Sequence, residues 1–126
     1  MTTQDVVKGY FQAWTRRDLP KARSFLADNL AFQGSIDRFQ NADDFVRALG
    51  GFLQMLTDVR LVGEFYSDQD AMMLYDCVTP TPAGTIRTAE YFRVADGKIQ
   101  QILLVFDATE LRKMMGPAKA AAVQPA

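Results

Sequence analysis

The chain has 126 residues, 48% of them hydrophobic, which is enough material to bury a core in one compact domain. Its 14 basic and 15 acidic residues leave a net charge of -1 with no long run of either sign, so capture of nucleic acid or of an anionic membrane by charge is not expected. It contains no histidine and one cysteine, Cys77, which removes Ser-His-Asp and Cys-His catalysis, imidazole zinc sites, thiolate clusters and internal disulfides. Acid–base chemistry, if present, rests on Asp, Glu, Tyr, Lys or Arg. No GxGxxG or GxxxxGK[ST] stretch occurs, so neither a dinucleotide nor a P-loop site is expected, and no cofactor or metal is implied. No apolar run approaches the roughly 18 to 20 residues that cross a bilayer. The first residues are polar and amphipathic rather than a signal peptide, and the lone thiol fits a reducing cytoplasm.

Thr2 or Thr3 is expected to cap a first helix, with Thr2 and Asp5 at capping-box spacing. Val7, Tyr10 and Trp14 then fall on one stripe, and the helix is expected to reach about Arg17. Asp18 caps a shorter second helix, with Pro20 in its first turn and Ala22, Phe25 and Leu26 facing inward. Leu30 to Gln33 reads as a short edge strand ending at Gly34. Asn41 caps a third helix whose first turn carries Asp43 and Asp44, favoured by the helix dipole, and whose apolar residues are Phe45, Leu49, Phe52, Leu53 and Leu56.

After Asp58 the period changes from helical to strand-like. Four strands are expected, at Val59 to Tyr66, Ala71 to Val78, Thr85 to Ala95 and Lys98 to Phe106. A last helix from Ala108 stops at the Gly116-Pro117 pair, leaving residues 117–126 as a disordered tail beyond a single domain of residues 1–116. Helices first and a strand meander second predict an α+β domain, with helices gathered on one face of an antiparallel sheet.

The closing hairpin decides where Glu90, an acid among apolar and aromatic residues, points. A two-residue Asp96-Gly97 turn sets Glu90 opposite Leu103, whereas a three-residue turn with Gly97 as bulge sets it opposite Ile102. The second register sorts the residues better. One face becomes Ile86, Thr88, Glu90, Phe92, Val94, Gln100, Ile102, Leu104 and Phe106, a core-facing surface holding one acid. The other becomes Arg87, Ala89, Tyr91, Arg93, Ile99, Gln101, Leu103, Val105 and Asp107. Desolvation on the first face would raise the pKa of Glu90 and suit it to donate a proton, while a bonded structural Glu with no chemistry is the alternative. Tyr75 and Asp76 alternate on a strand, so only one of them can line a pocket.

The stretches VVKGYFQAWTRRDLPKARSFLADNLAFQG, DDFVRALGGFLQML and EYFRVADGKIQQILLVFDATELRKMMG resemble the SnoaL-like group of the nuclear transport factor 2-like superfamily, relatives of polyketide cyclases and ketosteroid isomerases. The resemblance implies a cystatin-like cone, a curved antiparallel sheet wrapped around three N-terminal helices, with a ligand pocket inside and usually a homodimer. Tyr10 stands where the isomerases place an oxyanion-hole tyrosine, and Glu90 where they place its protonated acid. Asp76 lies on the strand where the epoxide hydrolases carry an Asp. Two positions depart. Gly34 stands at the isomerases' base and Leu104 at the acid that cyclases and epoxide hydrolases require, so no single relative's reaction carries over.

The expected site therefore comprises Glu90, Tyr10 and Asp76 as catalytic groups, with Trp14, Phe32, Thr88, Phe92, Ile102, Leu104 and Phe106 lining the pocket. Its expected partner is a small-molecule ligand, largely apolar and carbonyl- or polyol-bearing. Turnover, binding without turnover, and a structural dimer whose pocket is only its core all remain open at this stage. A homodimer is expected through the outer sheet face, at Tyr91, Arg93, Ile99, Leu103 and Val105.

Overall fold

The computed structural model describes residues 1–122, with side-chain surroundings through Met115. Its helices are α1 (Thr3–Thr15), α2 (Leu19–Ser24), α3 (Ala42–Leu53) and α4 (Thr109–Ala122). Its strands are β1 (Leu26–Gln33), β2 (Arg38–Phe39), β3 (Asp58–Tyr66), β4 (Asp70–Val78), β5 (Thr85–Ala95) and β6 (Lys98–Phe106). They form one curved sheet in the order β2-β1-β6-β5-β4-β3, in which only the β1–β6 pair is parallel. This is the expected α+β cone, with the helices on the concave side.

Three helix starts obey local chemistry. Thr2 and Asp5 form the capping box, each side chain accepting from the other's backbone N–H at 3.1 and 3.0 Å. Asp18 and Asn41 cap α2 and α3 by accepting from Lys21 N and Asp44 N. Past α1, Arg17 adopts a left-handed φ of 65°. Its guanidinium donates to the carbonyls of Leu53 at 2.6 Å and Leu56 at 2.8 Å, binding the end of α1 to the end of α3. Gly9 makes a second tie: a Cβ there would lie 2.5 Å from Cζ of Phe25, so only glycine lets that ring pack against α1.

Several expected boundaries move. The second helix ends at Ser24, and Leu26 opens β1 rather than closing the helix. β1 is longer than expected and is not an edge, because its far side pairs with β6 and β2 takes the edge. That parallel pairing joins residues about 70 positions apart, which no local pattern announces. The last helix continues through Gly116 and Pro117 to Ala122 instead of stopping. The alanine-rich run after Pro117 supplies helix propensity that offsets the breakers, so the tail is not wholly irregular. Residues 123–126, also expected to be disordered, lie outside the described residues.

The closing hairpin uses neither simple register. Asp96 and Gly97, at φ of 55° and 71°, make a two-residue turn that pairs Ala95 with Lys98 and Val94 with Ile99. A bulge at Gln100 then shifts the ladder, pairing Arg93 with Gln101 and Glu90 with Leu104. Beyond the bulge every residue keeps its expected face, so Glu90, Ile102, Leu104 and Phe106 point inward. Before it the faces are reversed. Ile99, expected on the outer face as a dimer contact, is completely buried opposite Val94.

Candidate functional site

The inner face of the sheet and the helices enclose a cavity of about 530 Å³. Helix α1 contributes Tyr10 and Trp14, β4 contributes Tyr75 and Cys77, and β5 contributes Ile86, Thr88 and Glu90. Strand β6 adds Leu104 and Phe106, while Phe32, Phe39, Phe45 and Phe52 form an aromatic wall. Phe32 and Phe45 stack there at 4.5 Å.

Glu90 is 2% exposed, and its Oε1 accepts a 2.9 Å hydrogen bond from the phenol of Tyr75. The bond is diagonal across the ladder, since Tyr75 pairs with Thr88 and Glu90 with Met73. Burial drives the Glu90 pKa up to about 7, with the Tyr75 bond pulling the other way. Burial first, and the Glu90 charge second, hold the phenols of Tyr10 and Tyr75 well above their ordinary range, so both remain O–H donors. Burial raises the Cys77 thiol to about 12, which leaves it a small apolar wall residue rather than a nucleophile.

Trp14 is 2% exposed, and its indole N–H finds no partner among the described residues. A buried donor without an acceptor is costly. With Glu90 protonated, the wall offers two donors, the Glu90 carboxyl and the Tyr10 hydroxyl. That set suits an oxygen on which negative charge develops. Among the described residues no three His, Cys, Asp or Glu side chains converge as a metal site would require.

Seven expected residues meet at this cavity: Tyr10, Trp14, Phe32, Thr88, Glu90, Leu104 and Phe106. Three do not. Asp76 lies on the opposite face of β4 and makes a two-pronged contact with Arg87, at 2.8 and 2.9 Å. Those hydrogen bonds hold its carboxyl below the usual range, so it is not the second pocket acid; Tyr75 takes the inward position. Phe92 and Ile102 point inward but sit in the packed core beyond the cavity, Phe92 against the Tyr10 ring at 5.9 Å.

The sequence reading missed Tyr75 as the partner of Glu90, and it missed Asp37, which lines the cavity from the segment between β1 and β2. The first was recoverable. Pairing Asp76 with Arg87 across the Thr79–Gly84 turn aligns opposite charges and turns Tyr75 inward. For Asp37 no periodic signal exists.

The described residues include no helix long and apolar enough to cross a membrane. Comparison with curated proteins returned no match. Among solved structures, a protein of Kribbella flavida DSM 17836 is 28% identical, with a TM-score of 0.81 over 88% of this chain and 91% of its own. An NTF2-like protein of unknown function from Cytophaga hutchinsonii is 21% identical, with a TM-score of 0.74 over 88% and 95%. An M. tuberculosis LEH-like epoxide hydrolase is 16% identical, with a TM-score of 0.70 over 89% of each chain. The last two likenesses concern the fold alone. The family model described as the SnoaL-like domain matches residues 7–102, well over half the chain, and the protein belongs to that family.

Proposed function

We propose that the cavity binds a small, largely apolar, carbonyl-bearing molecule and promotes cofactor-independent acid–base chemistry on it, of the isomerase, cyclase or dehydratase type. The observation that carries this is Glu90: a carboxyl 2% exposed, on the wall of a cavity of about 530 Å³, with one side-chain hydrogen bond among the described residues, from Tyr75. A Glu kept for structure alone would be saturated with partners rather than placed against open volume. Tyr10 and protonated Glu90 would hold the carbonyl oxygen and stabilise its developing charge. Solved relatives of this fold include one named as an epoxide hydrolase, so the architecture supports turnover of small molecules elsewhere. Residence in the cytoplasm is supported by the lone, buried thiol of Cys77.

The test uses α-tetralone, whose exchange of α-hydrogens in heavy water is followed by NMR, and α-naphthol, which mimics the enol and reports binding by fluorescence. Glu90→Gln, which trades an acidic O–H donor for a much weaker amide N–H, should slow exchange by about 100-fold, on the scale of losing one oxyanion donor, while only weakening α-naphthol binding. Full exchange by that variant would refute the role given to Glu90. Binding without exchange in the wild type would leave a binding module.

We also propose that a second copy of this chain covers the outer sheet face. Phe65, Met72, Tyr91 and Leu103 run across β3–β6 in one row, with Leu74, Ala89 and Val105 in the next. Phe65 is 72% exposed and Val105 61%, a contiguous apolar stripe of the kind that marks interfaces. The ion-paired Asp76 and Arg87 beside it present both signs, as an isologous two-fold contact needs. Sizing at micromolar concentration should give a dimer, and Val105→Arg a monomer. A wild-type monomer under those conditions would refute this interface.

A further inference from the structure

Asp37 is the cavity's second carboxyl, and nothing in its own segment accounts for it. The turn that carries it is closed by the main chain, Gly34 N–H donating to the Asp37 carbonyl at 2.8 Å. Ser35 ties the same segment to its neighbours. Phe106 N–H donates to its Oγ at 3.0 Å, and the Arg112 guanidinium donates to its carbonyl at 2.8 Å. An Asp kept for a turn or a cap would accept a backbone N–H, as Asp18 and Asp107 do. Burial alone shapes the Asp37 carboxyl, raising its pKa, with no hydrogen bond or ion pair to it among the described residues. Arg38, beside it in sequence, is exposed and lies outside the cavity lining.

What adjoins that carboxyl is aromatic. A Cβ on Gly34 would meet the Phe32 ring at 3.1 Å and Asp37 Oδ1 at 3.2 Å, so glycine lets ring and carboxyl approach each other. Phe32 contacts Phe39 at 5.9 Å and Phe45 at 4.5 Å between ring centroids, and Phe39 lies 6.2 Å from Phe45. All three rings and the carboxyl line the cavity. A carboxylate beside π rings is the composition that recognises an ammonium group. The ring quadrupoles attract positive charge, and the carboxylate accepts the N–H bonds. The lining includes no Lys or Arg among the described residues, so an anion would meet two carboxyls and no cation.

We propose that the Asp37 end of the cavity is an ammonium subsite, and that the molecule bound there carries a protonated amine on an apolar body. The amine donates to Asp37, and the carbons next to its nitrogen pack on Phe32, Phe39 and Phe45. The apolar body extends toward Glu90. Three strand spacings of about 4.8 Å, roughly 14 Å along the sheet, separate β2 from β5, which keeps the positive charge away from Glu90. The subsite rests on the reading of the cavity as a ligand site and is independent of any chemistry at Glu90.

The test compares phenylpropylamine, phenylpropanol and hydrocinnamate, probes of one shape that differ in the charge of one end. Calorimetry at about pH 8 keeps the amine protonated. The wild type should prefer the amine to the alcohol by about 10-fold or more, the weight of a hydrogen bond to a charged group, and should reject hydrocinnamate. In Asp37→Asn the preference should disappear, with a thermal melt reporting the fold. Phe39→Leu, a second variant, should reduce the preference by about 3-fold through the lost ring. A wild type that binds the alcohol without preferring the amine overturns the subsite and leaves the cavity a ligand site. A preference that survives in Asp37→Asn, stays undiminished in Phe39→Leu, or vanishes in Glu90→Gln instead also overturns it. A wild type that binds neither these probes nor α-naphthol overturns the ligand reading of the cavity and the subsite together.

Discussion

The two faces of β4 and β5 carry acids of opposite character a few residues apart. On the concave face, Glu90 is buried with a phenol as its partner, and its carboxyl titrates near 7. On the convex face, Asp76 meets the Arg87 guanidinium through both oxygens, and its carboxyl stays below the ordinary range. The strands are shared, so the difference lies in what each face denies or supplies: water and a cation. An acid is a proton donor at neutral pH only where desolvation is left without a compensating positive charge. The alternation of a strand is enough to separate the two conditions.

The largest effect that could break this contrast is thermodynamic. Glu90 has its folded pKa raised from an ordinary 4.5 to about 7, so the folded state holds that proton more tightly than the unfolded chain does. Its contribution is therefore present in full below about pH 4.5 and is lost as pH rises through about 7. The loss amounts to about 3 kcal/mol. Glu90→Gln cannot ionise and should not suffer it. Denaturant melts of both proteins should give a difference, variant minus wild type, that grows in the variant's favour by about this amount between about pH 4 and pH 8. Taking the difference cancels the carboxylates whose pKa values are lowered, such as Asp28, Asp70 and Asp107. A difference independent of pH would mean that Glu90 is not desolvated, and the contrast between the faces would fail.

The same contrast explains what was legible in the sequence. Caps at Thr2, Asp18 and Asn41 are local chemistry and were read correctly, as were the four later strands to within about a residue. The inward aim of Glu90 was also legible, though by a different route. Two changes of register, the tighter turn at Asp96-Gly97 and the bulge at Gln100, together preserve the parity of Glu90 while reversing that of Ile99. Alternation reports parity and is blind to such paired shifts. The parallel docking of β1 on β6, the continuation of α4 past Pro117 and the entry of Asp37 into the cavity depend on contacts distant in sequence or on irregular backbone. The choice between Tyr75 and Asp76 needed a partner strand, and Arg87 was the residue that could decide it.

The smallest expected effect sharpens the comparison from the other side. Asp76→Asn removes one partner of an ion pair whose arginine is 64% exposed, so water replaces the lost contact and screening has already weakened it. Exchange of α-tetralone should match wild type, and the denaturant melt should shift by no more than about 1 kcal/mol. The result discriminates because Asp76 and Glu90 lie on adjacent strands, and a slip of β4 by one residue would exchange Asp76 for Tyr75 on the cavity wall. A loss of exchange in Asp76→Asn with its fold intact would therefore place the acid inside and reverse the facing of the whole strand. Wild-type exchange in Asp76→Asn, set beside its loss in Glu90→Gln, would assign the chemistry to the concave face by the alternation of a single strand pair.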